Sequence, residues 1–218
     1  MIDSLPELSL LETRILGTLL EKQRTVPDTY PLSLNALQSG CNQKTSRNPV
    51  IEAGEAEMLV ALDALKDQGL VREVSGGRVS RFEHLLEKAL GVPSQASALL
   101  AVLMLRGPQT AGELRLNCDR LHRFADISSV EAFLEELASR TEGPLVVLLP
   151  RLPGARESRW MHLLSGQASL EAVPAASSAV VGSVEEMDAL CARVAALEAE
   201  VAELRRLIRE GAGQQWHG

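Results

Sequence analysis

Apolar positions recur at helical spacing through most of this chain, and the pattern runs twice. In the first copy a helix is expected over residues 10–23, opened by Ser9 and Glu12, whose side chains can satisfy each other's orphan amides as a capping box. A short second helix carries Leu34 and Leu37 one turn apart. A third, over residues 55–68, carries Met58, Leu62 and Leu65 and closes at Gly69. Alternation then replaces helical spacing: residues 70–74 read as a strand, Ser75-Gly76-Gly77 as a turn and residues 78–82 as the return strand.

The second copy follows about seventy-seven residues later. Its first helix is expected over residues 96–105, ending at Arg106-Gly107-Pro108. Thr110 with Glu113 caps the second, and Leu37 and Cys41 find counterparts in Leu114 and Cys118. Val130, Leu134 and Leu137 mark the third, with Ser128 and Glu131 as its cap and partner. Residues 145–149 and Arg159-Trp160 supply the hairpin. Both returns end alike, in Arg81-Phe82-Glu83-His84-Leu85-Leu86 and Arg159-Trp160-Met161-His162-Leu163-Leu164. An internal repeat of three helices and a hairpin predicts two tandem winged helix-turn-helix domains, over residues 8–86 and 95–166, in a mainly α chain with small β-hairpins. A generic α+β chain with two helical lobes is the alternative.

The remainder has a different character. Residues 167–182, rich in Ala, Ser, Val and Gly, read as a linker. Residues 183–210 carry Met187, Leu190, Val194, Leu197, Val201, Leu204 and Ile208, an unbroken alternation of three- and four-residue steps. Met, Val and Ile at a with Leu at d favour a parallel two-stranded coiled coil, so a homodimer through this helix is expected. An amphipathic helix folded back on its own domains is the alternative.

Composition fits helices: of 218 residues 45% are hydrophobic but only 3% aromatic, so Leu, Val and Ala must fill the cores. The length allows two small domains, each with a modest core. The net charge of −7 is unevenly spread, with nine Lys/Arg against ten Asp/Glu in residues 8–86 and eight against eight in residues 95–166. Near-neutral domains neither demand nor forbid DNA. Cys41, Cys118 and Cys191 are too far apart for a disulfide framework or zinc knuckle. The first residues lack a basic leader, and the longest apolar run, residues 98–105, is too short to span a bilayer, which points to a cytoplasmic protein with no membrane partner. No nucleophile–base pair, phosphate loop or metal spacing stands out. The sequence therefore points away from an enzyme and implies no catalytic residue, cofactor or metal. His84 and His162, being duplicated, read as packing features, and Cys41 and Cys118 as core-facing thiols.

Candidate chemistry concentrates in basic and amide residues. In a DNA-reading winged helix the third helix presents its first turns to base edges and the wing meets phosphates. Here those turns are acidic, with Glu52, Glu55 and Glu57 in one copy and Glu131, Glu135 and Glu136 in the other. The expected contacts therefore move to the helix 2–3 connection and second helix: Asn42, Gln43, Lys44, Ser46 and Arg47 in copy one, Arg115, Arg120 and Arg123 in copy two. Arg78 joins them from the first wing, near which Arg72 and Arg81 also lie; Arg151, Arg156 and Arg159 surround the second. Duplex DNA is the leading partner. A protein partner is the competing one, favoured by the acidic third helices.

Two strings carry a resemblance. Pro27-Asp28-Thr29-Tyr30-Pro31-Leu32-Ser33-Leu34-Asn35-Ala36-Leu37 leads to Cys41-Asn42-Gln43-Lys44-Thr45-Ser46-Arg47-Asn48-Pro49-Val50. Arg106-Gly107-Pro108-Gln109-Thr110, Gly112-Glu113-Leu114-Arg115 and Arg120-Leu121-His122-Arg123-Phe124 follow in the second copy. Over residues 8–166 the chain resembles the YceH-like family of uncharacterised bacterial proteins. The resemblance implies two winged-helix domains and brings no activity, substrate or catalytic residue.

Overall fold

A computed structural model describes residues 7–74, 79–151 and 153–166. The segments expected as linker and heptad helix, and the expected turn of the first hairpin with Arg78, lie outside the described residues. What is described is mainly helical, with two small antiparallel sheets.

Helix α1, Leu10–Thr25, begins as expected: Ser9 Oγ accepts from the Glu12 amide, and the Ser9 amide donates to the Glu12 carboxylate at 2.6 Å. A single 3-10 turn, Pro27–Thr29, precedes strand β1 at Leu32–Ser33. Ser33 caps α2, Leu34–Cys41, and α3 spans Glu55–Asp67. Strands β2, Val71–Val74, and β3, Arg81–His84, pair antiparallel with Val71 opposite His84 and Val74 opposite Arg81. The return strand thus lies about three residues beyond its expected start. The sheet has a third member that leaves no mark in the hydrophobic pattern, since β1 pairs on the free edge of β3 with Leu32 opposite Phe82. Two residues are too few to show a period. A short helix α4, Leu86–Leu90, is equally silent in the pattern; it ends at Gly91, whose φ of 62° suits glycine.

The second copy runs α5, Ser94–Arg106, α6, Ala111–Asn117, α7, Ile127–Ala138, β4, Val146–Leu148, and β5, Trp160–His162. Asp126, not Ser128, caps α7: its Oδ1 accepts from the Ser129 amide at 2.8 Å. Asp126 holds the extended conformation a cap needs, whereas Ser128 is already helical, and the helix therefore starts earlier than expected.

The duplication extends to details. Gln109 forms an antiparallel bridge to Trp160, the counterpart of Leu32 opposite Phe82. Arg81 Nη1 donates to the Pro31 carbonyl at 2.7 Å, and Arg159 Nη1 to the Pro108 carbonyl at 2.9 Å. In each copy one arginine therefore ties the return strand to the segment entering helix two.

The two copies do not bury separate cores. α1 and α5 pack side by side and antiparallel, with Gly17 against Ala101 and Leu105, and Arg24 beside Ser94 and Ser97. Every residue from Ala96 to Leu105 is buried, so the apolar run is a helix enclosed on all sides. One continuous core joins both copies, from Ile15, Leu19 and Leu62 to Leu99, Leu134 and Trp160. Among the described residues no helix is long and apolar enough to cross a membrane.

Close approach of α1 and α5 depends on Gly17. A Cβ there would stand 2.9 Å from Leu105 Cγ and 3.3 Å from the Ala101 carbonyl oxygen, a backbone atom that moves only with its helix. Helix propensity favours Ala over Gly by about 1 kcal/mol, while overpacking costs about 1–3 kcal/mol. Gly17→Ala is therefore expected to lower the thermal midpoint by several degrees; an increase would show that the helices have slack.

The paired histidines predict a pH response. Burial holds the His162 imidazole down to about 4. Burial also lowers His84, the Arg24 charge adding to it and Glu87 and Glu83 opposing it. Both rings lack a partner at Nδ1, and His84 Nε2 lies 2.8 Å from Gln23 Oε1, as suits a neutral ring donating from Nε2. The unfolded chain takes up these protons at about pH 6.5, before the native state does. Stability is thus complete above about pH 6.5 and falls as pH drops toward about 4, on the order of 1 kcal/mol per unit from His162. Urea midpoints across this range should flatten in His162→Leu; an unchanged slope would refute the assignment.

Candidate nucleic-acid interface

One face of α1 organises both helix 2–3 connections. Arg14, Thr18, Glu21 and Arg24 follow at helical spacing and share that face. Arg14 is fully buried; its guanidinium donates to the Cys41 carbonyl at 3.2 Å and the Pro49 carbonyl at 2.6 Å. Thr18 Oγ1 accepts from the Cys41 thiol and lies against Gly40, where a Cβ would approach the Thr18 methyl to 2.7 Å. Glu21 meets Arg47 at 2.7 Å. Arg24 bonds Glu87 at 2.7 Å and reaches the Leu121 carbonyl, in the second copy's connection, at 3.4 Å. From Arg14 to Arg24 the helix rises about 15 Å, so the two connections lie along one side of α1.

Several expected contact residues prove to be internal. Asn42 forms a two-way amide pair with Ala53, donating to its carbonyl at 3.0 Å and accepting from its amide at 2.9 Å. Arg47 has no exposed side-chain surface: Nε donates to the Gly40 carbonyl, Nη1 to the Ser46 carbonyl, and both terminal nitrogens engage the Glu21 carboxylate. Burial pushes Glu21 up, but the bonds and charge of Arg47, with Lys22, outweigh it and leave the carboxyl below its usual value. Ser46 holds a left-handed φ of 59°, fixed by Arg47 at its carbonyl and by Arg106, which donates to Ser46 Oγ at 2.8 Å. Asn48 donates its amide to the Leu105 carbonyl at 2.8 Å, so the connection is sewn onto the end of α5.

Other candidates face solvent. Lys44 and Arg120 are exposed and form no ion pair among the described residues. Arg123, 89% exposed, meets Asp119 only at 3.9 Å. Gln43 is half-buried, and Arg115 is tethered to the Ala125 carbonyl at 3.1 Å. Of the hairpin arginines, Arg72 pairs with Glu83, and Arg81 and Arg159 bond their prolyl carbonyls. Lys22, Arg24 and Arg106, not singled out from the sequence, join Lys44, Arg120 and Arg123 near the two connections. Among the described residues, the acids that pair with this group are Glu21, Glu87 and Asp119.

The third helices have the opposite character. α3 exposes Glu55, Ala56, Glu57, Leu59, Val60, Asp63 and Asp67, and Lys66 is neutralised between Asp63 and Glu73. α7 exposes Glu131, Glu135 and Glu136 and has no basic residue. The two described cysteines are buried thiols: burial pushes Cys41 up to about 11 and Cys118 up to about 12. Arg14 and Glu21 carried one legible signal, a polar stripe with Thr18 running beside the buried Ile15, Leu16, Leu19 and Leu20 of α1.

Residues 8–155 match the family described as "Protein of unknown function, DUF480". A "UPF0502 protein" of Dechloromonas aromatica (strain RCB) is 75% identical over 210 residues, covering 96% of this chain and 98% of the relative. Relatives of the same name in Burkholderia pseudomallei (strain 668) and Acidovorax sp. (strain JS42) are 62% and 58% identical. They cover 94% and 91% of this chain, and 88% and 89% of their own lengths. The resemblance carried by the Pro27–Val50 string is thus borne out, and the chain belongs to this uncharacterised bacterial family.

Proposed function

We propose that this chain is a non-enzymatic, cytoplasmic tandem winged-helix protein that binds duplex DNA along the side of α1 that carries the two helix 2–3 connections. The winged-helix reading takes residues 8–86 and 95–166 as its domains and is supported by the duplicated order of three helices and a hairpin. The observation that carries the DNA reading is that Lys44, Arg120 and Arg123 stand exposed in those connections, with Lys22, Arg24 and Arg106, themselves bonded within the fold, beside them. Acidic third helices oppose insertion of α3 or α7 into the major groove, because carboxylates repel phosphate. Binding would be a backbone contact, steeply salt-dependent and weakly sequence-selective. A protein-interaction scaffold is the second reading, favoured by the exposed Leu59 and Val60 on α3.

Fluorescence anisotropy with a mixed-sequence duplex tests the first reading. Binding should weaken with salt, and Lys44→Ala/Arg120→Ala/Arg123→Ala should reduce the log–log salt slope by about 0.9 for each phosphate that the variant leaves unneutralised. No binding by the wild-type chain at low salt would reject the proposal. Arg47→Ala serves as the contrast: it removes the main partner of half-buried Glu21, leaving Lys22 beside it, and orphans the Gly40 carbonyl, so it should lower stability by about 1–3 kcal/mol without changing the slope.

The dimer proposal rests on Met187, Leu190, Val194, Leu197, Val201, Leu204 and Ile208, which lie outside the described residues. Removing residues 183–218 should halve the mass by sedimentation equilibrium, and an unchanged mass would dismiss these heptads as the interface.

A further inference from the structure

We infer that the shallow groove between the start of α1 and the outer face of α3 is a docking site for a basic, amphipathic helix of a partner protein. The groove has a volume of about 410 Å³ and is walled by Leu11, Ala56, Val60, Ala61 and Ala64. Glu12 and Glu57 form its polar edge, and no cation lines it among the described residues. Val60 is 72% exposed, although a side chain of its type is ordinarily buried. Alanines recur on α3 at 56, 61 and 64, leaving room for an incoming side chain over about two helical turns, or about 12 Å.

Charge selects the occupant. Glu55 and Asp63 add exposed carboxylates to α3, and the nearest cation on that helix, Lys66, is held between Asp63 and Glu73. An acidic duplex or lipid headgroup is repelled here. A helix with apolar residues at i, i+3, i+4 and i+7 and flanking Lys or Arg satisfies both the apolar floor and the acidic rim. The site is separate from the cations beside the connections, so its fate does not depend on DNA binding.

The test uses the full chain and a fluorescein-labelled peptide of Leu and Lys, about four turns long, with Leu at that spacing. Two controls are a scrambled peptide of identical composition and the same pattern with Glu in place of Lys. Val60→Asp is the decisive variant. It adds negative charge while removing the apolar contact, so non-specific attraction would rise where groove binding falls. The expected result is saturable binding of the Leu/Lys peptide alone, at least tenfold weaker in Val60→Asp and reduced less in Val60→Ser, with Lys44→Ala/Arg120→Ala/Arg123→Ala unchanged. Binding by Val60→Asp as tight as or tighter than wild type, or equal binding of either control peptide, would overturn the proposal. So would a Val60→Asp variant that changes the chain's own mass in solution while leaving peptide binding intact, since the groove would then belong to a second copy of this chain.

Discussion

The packing of α1 on α5 is the interaction on which the rest of the described structure depends. α5 is buried on every side and α1 along its central two turns, so neither helix has an independent surface to retreat to. With no side chain at Gly17, the two backbones come close enough for Leu105 and Ala101 to fill the space. Each enclosed leucine of this pair contributes about 1.5–3 kcal/mol by burial, and the pair supplies the wall against which α2, α3, α6 and α7 pack. Two repeats that read as separate domains thus share their centre. A low aromatic content makes sharing useful, because small aliphatic cores gain stability by being continuous.

That arrangement explains why so polar a string as residues 42–50 exists. The connection has to run between α2 and α3 while crossing the end of α5. Backbone groups shielded from water along this path need partners. Arg14, Arg47 and Asn42 supply them, taking the Cys41, Pro49, Gly40, Ser46 and Ala53 carbonyls between them. Two buried guanidiniums with Glu21 as the nearby counter-charge make a demanding network, because removing one partner strands another. The second copy has a shorter connection and, among the described residues, no equivalent of this network. The repeat is therefore asymmetric where the identifying motif lies.

Helix positions were legible because burial leaves a period: Met58, Leu62 and Leu65, or Val130, Leu134 and Leu137, are all core residues. The duplicated hairpin was legible for the same reason, through Phe82 and Trp160. Elements without a period stayed hidden. β1 is two residues long, α4 five, and the cap at Asp126 lies just outside the window that Ser128 and Glu131 suggested. Arg47 and Asn42 were misplaced for a different reason. In a polar string, an arginine at a core-facing backbone position has the same sequence signature as one facing solvent. Only its partner across the fold, Glu21, tells them apart, and that partner lies twenty-six residues away on another helix.

With the internally bonded residues accounted for, the surface divides by chemistry. Lys44, Arg120 and Arg123 stand exposed or loosely held beside the connections, whereas α3 offers carboxylates around exposed Leu59 and Val60. On the two proposals made above, a polyanion would be drawn to the first surface and repelled from the second, and a basic apolar helix the reverse. The two surfaces also differ in physical signature, since phosphate contacts fade with salt through counterion release while apolar burial does not. A chain with a net charge of −7 can therefore carry a cationic contact without contradiction. What matters is which exposed cations the chain's own acids leave unpaired, and among the described residues Lys44 and Arg120 are two of them.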